Sequence, residues 1–518
     1  MAAPQSIRIL QKDLRHLWPE TLFVLLLFAA FAFAAPSGWN GSEYAAYASI
    51  LAVLLKVLMP ISWLVMISRL IQDESLVGDR QFWTSRPYHW GKLLAAKVIF
   101  LIVCIYMPFF LMQVYLLKHA GLHPMTSLPA LLHNLLLLTV VFIIPIAALA
   151  AVTSNFPRLL LSFLGTVLYL LVLVGILGYV TFLQMQPPHL DWILNGLFIV
   201  LPAVALLFQY RTRKTFISRT MLIATPILAT IILLLVPTNS LIASAYPVLD
   251  KDAPKLTGLS DTFHPPAAQG KLQVFRNNVS VSLPVGVGGI DKDMNFLVVG
   301  TRTTVTGSGV TYKSGFQSSG SDGALSAGRP MTLLSFLVPS DVFNKIRTAP
   351  VDVHLQLAVE QLKAEKPSVW HATLLPFTVP GNGLCSFPAD GSAAPPTCRY
   401  PLVQPEISFV TAQLAAGACG QPMAQPVTGQ GSLGGRGTML DFDPVITVPL
   451  QFRTGDPNPK HNYVLCPGTA LNFVEASKVG KASVVFDQKQ VVLDAFAARI
   501  AERQSPLQQA PAGESPDQ

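Results

Sequence analysis

The chain has 518 residues, of which 51% are hydrophobic and only 12% are charged, and its formal net charge is +8. Soluble domains carry about 25% charged residues, so this composition argues against an ordinary soluble protein and indicates a membrane protein. Residues 1–249 hold 15 Lys and Arg against 7 Asp and Glu, whereas residues 250–518 hold 21 of each. The basic excess therefore lies in the apolar half, and a basic domain that binds nucleic acid is not expected.

Residues 1–20 are predicted to form a cytoplasmic helix that lies in the membrane interface. Four apolar residues recur at helical spacing, and the basic residues Arg8, Lys12 and Arg15 lie off their stripe: Ile7, Leu10, Leu14 and Leu17. Such an amphipathic pattern is typical of interfacial helices. One alternative is a plain extension of the first spanning helix. Another is a cleaved signal peptide, because an A-x-A pattern ends at Ala34.

Seven apolar stretches follow, and a helix needs about 20 mostly apolar residues to cross the hydrocarbon layer. In lipid the helix is required, because no water satisfies the backbone N–H and C=O groups. The spans are predicted near residues 22–35, 46–70, 93–117, 131–152, 159–183, 192–210 and 221–236. We therefore expect a polytopic α-helical membrane domain of about six or seven spans over residues 21–237.

The basic residues predict the orientation of these spans. With a cytoplasmic N-terminus, the inside segments carry thirteen Lys and Arg residues and the short outside loops carry only Lys118. Inside segments of membrane proteins are enriched in Lys and Arg. The expected location is a bacterial-type inner membrane, with multiple passes and with residues 238–518 exported.

Lys56 lies within the second predicted span, roughly 15 Å from its start at 1.5 Å per residue. An ammonium group at the bilayer centre costs about 2.5–3.5 kcal/mol. Lys56 therefore either faces an internal pathway or a helix partner, or extends outward to the interface.

The segment between the second and third spans, residues 72–92, mixes acidic, basic and aromatic residues. Its aromatic residues exceed what a solvated loop needs: Phe82, Trp83, Tyr88 and Trp90. Trp, Tyr and Arg are common anchors of protein interfaces, which favours docking of a partner on this loop. The alternative is an aromatic belt at the membrane surface.

This segment and the start of the next span carry an ordered pattern: Glu74, Gly78, Phe82, Trp83, Arg86, Pro87, Leu93, Leu94 and Lys97. The pattern resembles the loop between the second and third helices of permease subunits of type-2 ATP-binding-cassette (ABC) exporters. The resemblance covers roughly residues 1–215. The seventh apolar segment and the large C-terminal domain depart from the minimal family pattern.

The resemblance implies that the loop docks on a separate ABC ATPase subunit. The implied docking residues are Asp73, Glu74, Gly78, Phe82, Trp83, Arg86 and Pro87. It also implies that permease chains pair as a homodimer or heterodimer among membrane lipids. The sequence contains no P-loop, and its G-x-G-x-x-G match at residues 429–434 has no strand before it and no helical pattern after it. We therefore expect a permease that is not itself an enzyme, with no catalytic residues and no cofactor.

Residues 238–503 are predicted to form a mostly-β exported domain, because apolar and polar residues alternate over 351–359 and turn residues separate further short apolar runs. One or two β-sandwich modules are expected. Residues 504–518 are rich in Pro, Gln and Ser and are predicted to be disordered.

Four of the five cysteines lie in this domain: Cys385, Cys398, Cys419 and Cys466. Exported proteins form disulfides, and four cysteines allow three connectivities. Short loop closure favours Cys385–Cys398 together with Cys419–Cys466. The wide spacing argues against a zinc site, so no metal is expected. Cys104 lies in the third span and is expected to be buried.

Two functions follow from these observations. The first is the permease subunit of an ATP-driven ABC-type exporter, which couples a separate ATPase to substrate movement. The alternative is a membrane-anchored receptor or assembly scaffold with an extracytoplasmic β-sandwich binding domain. The transported substrate is not specified by the sequence.

Overall fold

The structure is a computed structural model. It describes residues 5–39, 44–73, 90–181, 185, 187, 190–249, 253–258, 271–318, 324–326, 331–364, 366, 368–371, 376–379, 383–386, 397–402, 409–414, 428–431, 440, 442–449, 452–453 and 470–500. The chain forms two compact units. The first comprises Met1–Tyr179, His189–Val236 and Ala364–Ser477, and the second comprises Val180–Pro188, Pro237–Lys363 and Lys478–Gln518.

The first unit is mainly helical. Its helices are α1 Gln5–His16, α2 Trp18–Ala34, α3 Tyr44–Gln72, α4 Trp90–Leu101, α5 Met107–His119, α6 Leu128–Leu138, α7 Ile144–Val152, α8 Phe156–Thr181, α9 Leu190–Thr212 and α10 Thr215–Leu235. A short 3₁₀ helix, Ala35–Trp39, follows α2. The residue between α1 and α2 is Leu17, and Pro19 lies in the first turn of α2, where its missing N–H costs nothing. The predicted N-terminal helix is thus separate from the first long apolar helix.

Seven helical segments in the described part of the chain are long and apolar enough to cross a membrane. They are Trp18–Ser37, Ile50–Gln72, Trp90–His119, Leu128–Val152, Phe156–Leu173, Ile193–Thr212 and Thr215–Leu235. This number confirms the prediction of six or seven apolar helices, and it indicates a multi-pass membrane protein. The ends differ from the predicted ones by several residues, because hydropathy alone does not mark where a helix begins or stops.

The third and fourth apolar segments each contain a π-helical turn, Ile102–Tyr106 and Thr139–Ile143. A proline follows each turn by two residues, and proline cannot donate the regular α-helical hydrogen bond. The hydroxyls of Tyr106 and Thr139 are 2.6 Å apart, so the two widened turns face each other. π-turns are frequent at functional sites of helices.

The first unit also contains short antiparallel strands: β10 Ser368–His371, β11 Phe377–Val379, β12 Gly383–Ser386, β13 Thr397–Pro401, β14 Phe409–Leu414, β15 Thr428–Gly431, β16 Val445–Pro449 and β17 Phe452–Arg453. One sheet has the order β11-β12-β13-β16. Strand β18, Ala470–Val492, pairs through its first residues with β10 and β14, and β15 continues this sheet to β17.

A disulfide joins Cys385 to Cys398 across β12 and β13, where the two residues face each other in register with Cα atoms 3.9 Å apart. This bond confirms the pairing predicted from short loop closure. Cys419 and Cys466 lie outside the described residues, so their bond stays a prediction. Cys104 is a free, buried thiol in the third apolar segment, as expected.

The second unit is mainly β. Its strands are β1 Lys255–Thr257, β2 Lys271–Leu272, β3 Val274–Phe275, β4 Asn278–Gly288, β5 Met294–Gly307, β6 Val310–Ser318, β7 Ala324–Ser326, β8 Met331–Pro339, β9 Pro350–Ala364, the later part of β18, and β19 Arg499–Ile500. β4 pairs with β1, β3 and β8, whereas a second sheet has the order β18-β9-β5-β6, with β7 also on β5. The helices of this unit are α11 Thr238–Ala245 and α12 Ser340–Ile346.

One apolar core in the second unit contains residues from both of these sheets. Alternate residues of β9 are buried, as the sequence pattern predicts: Val351, Val353, Leu355, Leu357 and Val359. Val281 and Leu283 of β4 and Phe336 of β8 belong to the same core, together with Phe343 of α12. The C-terminal region is β-rich, which confirms the prediction of a mostly-β region, and its sheets are antiparallel.

Candidate functional site

The candidate site is built on α1, which packs against α4 at the start of the third apolar segment. Ile9 and Leu17 are buried in the helical core, while Arg8, Lys12 and Arg15 of α1 are exposed. Asp13 lies on the buried side as well, four residues before Leu17 and three after Leu10. A carboxylate there requires a partner, because a buried unpaired charge is very costly.

Lys97 of α4 is that partner. Its Nζ donates a hydrogen bond of 2.9 Å to Oδ2 of Asp13, and the two side chains are only 4% and 6% exposed. Breaking such a buried pair by removing one member typically costs about 3–5 kcal/mol, because the other charge is left unpaired. The pair therefore ties α1 firmly to the start of the third segment.

Weaker polar contacts surround this pair at the same end of the helices. Arg69, near the end of α3, pairs with Glu20 in the first turn of α2. Asp73, directly after α3, lies 3.3 Å from His16 between Oδ2 and Nε2, and Gln72 donates a 3.0 Å hydrogen bond to Thr153. We name the Asp13–Lys97 pair, the His16–Asp73 contact and the Arg69–Glu20 pair together the basal clasp: Asp13, His16, Glu20, Arg69, Asp73 and Lys97.

The basal clasp surrounds the two ends of the segment that the sequence predicts as a docking loop. Asp73 is the last described residue before this segment, and α4 resumes at Trp90. The other predicted docking residues lie outside the described residues: Glu74, Gly78, Phe82, Trp83, Arg86 and Pro87. α1 therefore contacts the chain on both sides of the segment: His16 lies beside Asp73, and Asp13 pairs with Lys97 in the later half of α4.

Lys56, the predicted pathway residue, lies in the first half of α3 and is half-buried. Its Nζ is 6.0 Å from the ring centroid of Phe31 on α2, within the range of a cation–π contact. The neighbouring helix thus provides a favourable contact for this ammonium group. A pathway role for Lys56 stays a prediction.

A second feature of the helical unit is an aromatic cluster. Trp63 of α3 lies 5.9 Å from each of Phe28, Phe109 and Phe142 between ring centroids. Phe442, which precedes β16, also belongs to this cluster. Its ring stacks on Trp63 with a centroid distance of 5.7 Å and an interplanar angle of 28°. Next to it, the indole N–H of Trp39 donates a 3.0 Å hydrogen bond to Asp443.

Phe442 belongs to a non-helical segment, and such a backbone is tolerated among apolar helices only where protein surrounds it. Its ring also contacts Phe31 and Phe109 edge-on, at 6.4 and 6.0 Å. Leu384 of β12 and Leu440 pack against the same helical core. The strands of the first unit are thereby anchored in its helices.

Sequence reasoning missed the Asp13–Lys97 pair and the position of Phe442. The first had a signal, because Asp13 shares the stripe of Leu10, Leu14 and Leu17, and an acid on an apolar stripe predicts a buried basic partner. Phe442 had no such signal, since it lies more than 300 residues from every aromatic residue it contacts, in a stretch without clear periodicity.

Within the part of the chain that the structure describes, no group of three or more His, Cys, Asp and Glu side chains is arranged to hold a metal ion. Comparison with protein-family models, curated protein sequences and solved structures finds no significant match to this chain.

Proposed function

We propose that this chain is the transmembrane permease subunit of an ATP-driven ABC-type exporter, which works with a separate ATPase subunit and pairs with a second permease chain. The resemblance of residues 74–97 to the coupling loop of type-2 exporters supports this proposal. The observation that carries it is the basal clasp, because it joins the chain on both sides of the proposed coupling loop to one N-terminal helix.

The clasp provides a physical route for coupling. An ATPase that moves the loop would act on α3 through Asp73 and on α4 through Trp90 and Lys97. Because Lys97 and Asp13 form a short, buried ion pair, displacement of α4 would carry α1 with it rather than stretch the contact. The π-turn at Tyr106 lies further along the segment that begins with α4, and it faces the π-turn at Thr139 in the fourth segment.

The orientation belongs to the same proposal. The predicted inside segments carry thirteen Lys and Arg residues, whereas the short outside loops carry one. This difference favours a cytoplasmic N-terminus and loop, and hence an exported β-rich region, in a bacterial-type inner membrane. The Cys385–Cys398 disulfide supports export, because such bonds form and persist in oxidising compartments. A β-sandwich arrangement of the exported sheets is supported by the core that β4, β8 and β9 share.

The alternative function is a membrane-anchored receptor or assembly scaffold. The insertion of Phe442 among Trp63, Phe31 and Phe109 favours it, because helices that only support a β-region need such an anchor. The two functions differ in whether an ATPase binds the loop.

Alanine substitutions in the loop separate the two functions. We expect Glu74→Ala, Trp83→Ala and Arg86→Ala each to weaken ATPase binding by roughly 30-fold, since removal of an interface anchor commonly costs about 2 kcal/mol. Expression and membrane insertion are expected to persist, because the apolar helices are unchanged. The measurement is the amount of ATPase that co-purifies with each variant in mild detergent.

Asp191→Ala is the matched control, since it removes one charge from the first turn of α9, which the charge pattern places outside. This variant is expected to retain wild-type ATPase binding. If all three loop variants bind the ATPase as well as the wild-type chain does, the docking hypothesis is wrong. The aromatic residues would then form a membrane belt, and the scaffold function would be favoured.

A further inference from the structure

A cleft of about 730 Å³ lies between α7, α8 and α10 in the helical unit. Ligand sites in proteins commonly have volumes of about 300–1,000 Å³, so the cleft is large enough for a bound molecule. Its walls are mostly apolar and include Leu161 of α8 with Ile223 and Ile227 of α10. The cleft is not a part of the basal clasp.

Two arginines line one end of this cleft, near the starts of α8 and α10. Arg219 of α10 donates from Nε and Nη2 to the carbonyl oxygen of Val152, at 3.1 and 2.9 Å. Arg158 of α8 donates from Nη1 to the hydroxyl of Ser154 at 2.9 Å. These contacts use only some of the five N–H donors of each guanidinium. Within the described ranges, neither arginine pairs with a carboxylate.

Tyr169 lines the opposite end of the cleft together with Ile227, and its hydroxyl is hydrogen-bonded to Thr230 of α10. From Arg158 to Tyr169 the axis of α8 advances about 16 Å at 1.5 Å per residue. This length is close to half of the ~30 Å hydrocarbon core, which is the depth of one leaflet. The cleft thus combines two arginines, which have no carboxylate partner among the described residues, with mostly apolar walls of leaflet depth.

We propose that the cleft binds an anionic phospholipid. The phosphate lies against Arg158 and Arg219, and an acyl chain extends along Leu161, Ile223 and Ile227. Arginine suits this role because its planar fork binds phosphate oxygens in pairs. Basic pockets between membrane helices are known to bind anionic headgroups. Exposed apolar residues along α8, including Leu164 and Leu168, are compatible with access from the bilayer.

The dependence of binding on an anionic headgroup and on the two arginines is tested with lipids and the purified full-length chain. We expect phosphatidylglycerol to bind more tightly than phosphatidylcholine, as measured by native mass spectrometry during lipid titration. Arg158→Gln and Arg219→Gln should each weaken phosphatidylglycerol binding about 5-fold, and the double variant about 30-fold, which corresponds to ~1 kcal/mol per basic residue. Arg211→Gln is the matched control, because Arg211 is exposed at the end of α9 and does not line the cleft.

The proposal that an acyl chain occupies the cleft is tested by filling the cleft with a side chain. Gly165 lines it, and a Cβ placed there meets open space. Gly165→Leu is expected to reduce phosphatidylglycerol binding at least 10-fold while both arginines remain. Gly175→Leu is the control, since Gly175 also lies on α8 with open space around it but outside the cleft. Both substitutions favour the helix, so loss of folding is not expected.

Inorganic phosphate distinguishes a lipid site from a site for a small anion. If millimolar phosphate displaces phosphatidylglycerol completely and Gly165→Leu has no effect, the ligand is a small phosphate compound and the lipid proposal is overturned. Equal binding of phosphatidylcholine, or unchanged binding by the double arginine variant, also overturns it. The proposal is supported if phosphatidylglycerol binding is lost in the double arginine variant and in Gly165→Leu but is retained in the controls Arg211→Gln and Gly175→Leu.

Discussion

Replacement of Asp13 by Ala, or of Lys97 by Met, is expected to lower the free energy of unfolding by about 3–5 kcal/mol. Each change leaves one charge in a site where both side chains are almost fully buried and their charged atoms are 2.9 Å apart. The remaining group then loses its partner at 2.9 Å while it stays in a buried site, which is the physical reason for the cost. Thermal inactivation and denaturant unfolding of the purified chain would measure this loss.

The double variant Asp13→Leu with Lys97→Met provides the internal test. It removes both charges, so it should recover most of the stability lost in either single variant, because an apolar pair of similar volume is often as stable as a buried ion pair. His16→Ala is a matched control: it removes a contact of the same helix whose partners are exposed, and such a pair contributes at most about 1 kcal/mol. If Asp13→Ala or Lys97→Met is as stable as His16→Ala, the conclusion that Asp13 and Lys97 form a buried ion pair is wrong.

Replacement of Phe442 by Ala is expected to cost about 2–4 kcal/mol. Replacement of a fully buried phenylalanine by alanine costs about 3–5 kcal/mol. The expected cost is smaller here because Phe442 is only partly buried. The lost contacts include the stacking on Trp63 and the edge-on contact with Phe109. Hydrogen exchange is the second measurement, because loss of the anchor should reduce the protection of the neighbouring strand β16.

Phe275→Ala makes the same chemical change at a ring that is 48% exposed in β3, and it should change stability by no more than about 0.5 kcal/mol. Phe442→Leu retains much of the apolar volume and should have an intermediate effect. Equal stability of Phe442→Ala and Phe275→Ala would show that the aromatic anchor does not hold in solution.

Much of the fold could be predicted from the sequence because its signals are local. The apolar helices follow from hydropathy, and strand β9 follows from the alternation of Val351, Val353, Leu355 and Leu357 with polar residues. The Cys385–Cys398 bond follows from a short separation of 13 residues. In each case the residues that form the structure are close together in the chain.

The parts that escaped prediction depend on partners distant in the chain. The position of Asp13 on an apolar stripe predicts a buried basic partner. The sequence around Asp13 does not identify this partner as Lys97, which lies 84 residues away. Phe442 and Trp63 are farther apart still, and a single sequence contains no record of their contact. The cleft between α8 and α10 likewise arises from helix packing, although Arg158 and Arg219 were counted with the inside basic residues.

The most direct test of the permease proposal is photo-crosslinking in living cells from a reactive amino acid placed at Trp83. The proposal predicts a crosslinked adduct whose partner is an ATPase that contains a P-loop. The same probe at Met125, which is 81% exposed in the short connection between α5 and α6, should not capture that protein. Adducts from Trp83 that contain only lipid or the chain itself, or the same proteins as from Met125, would contradict the proposal.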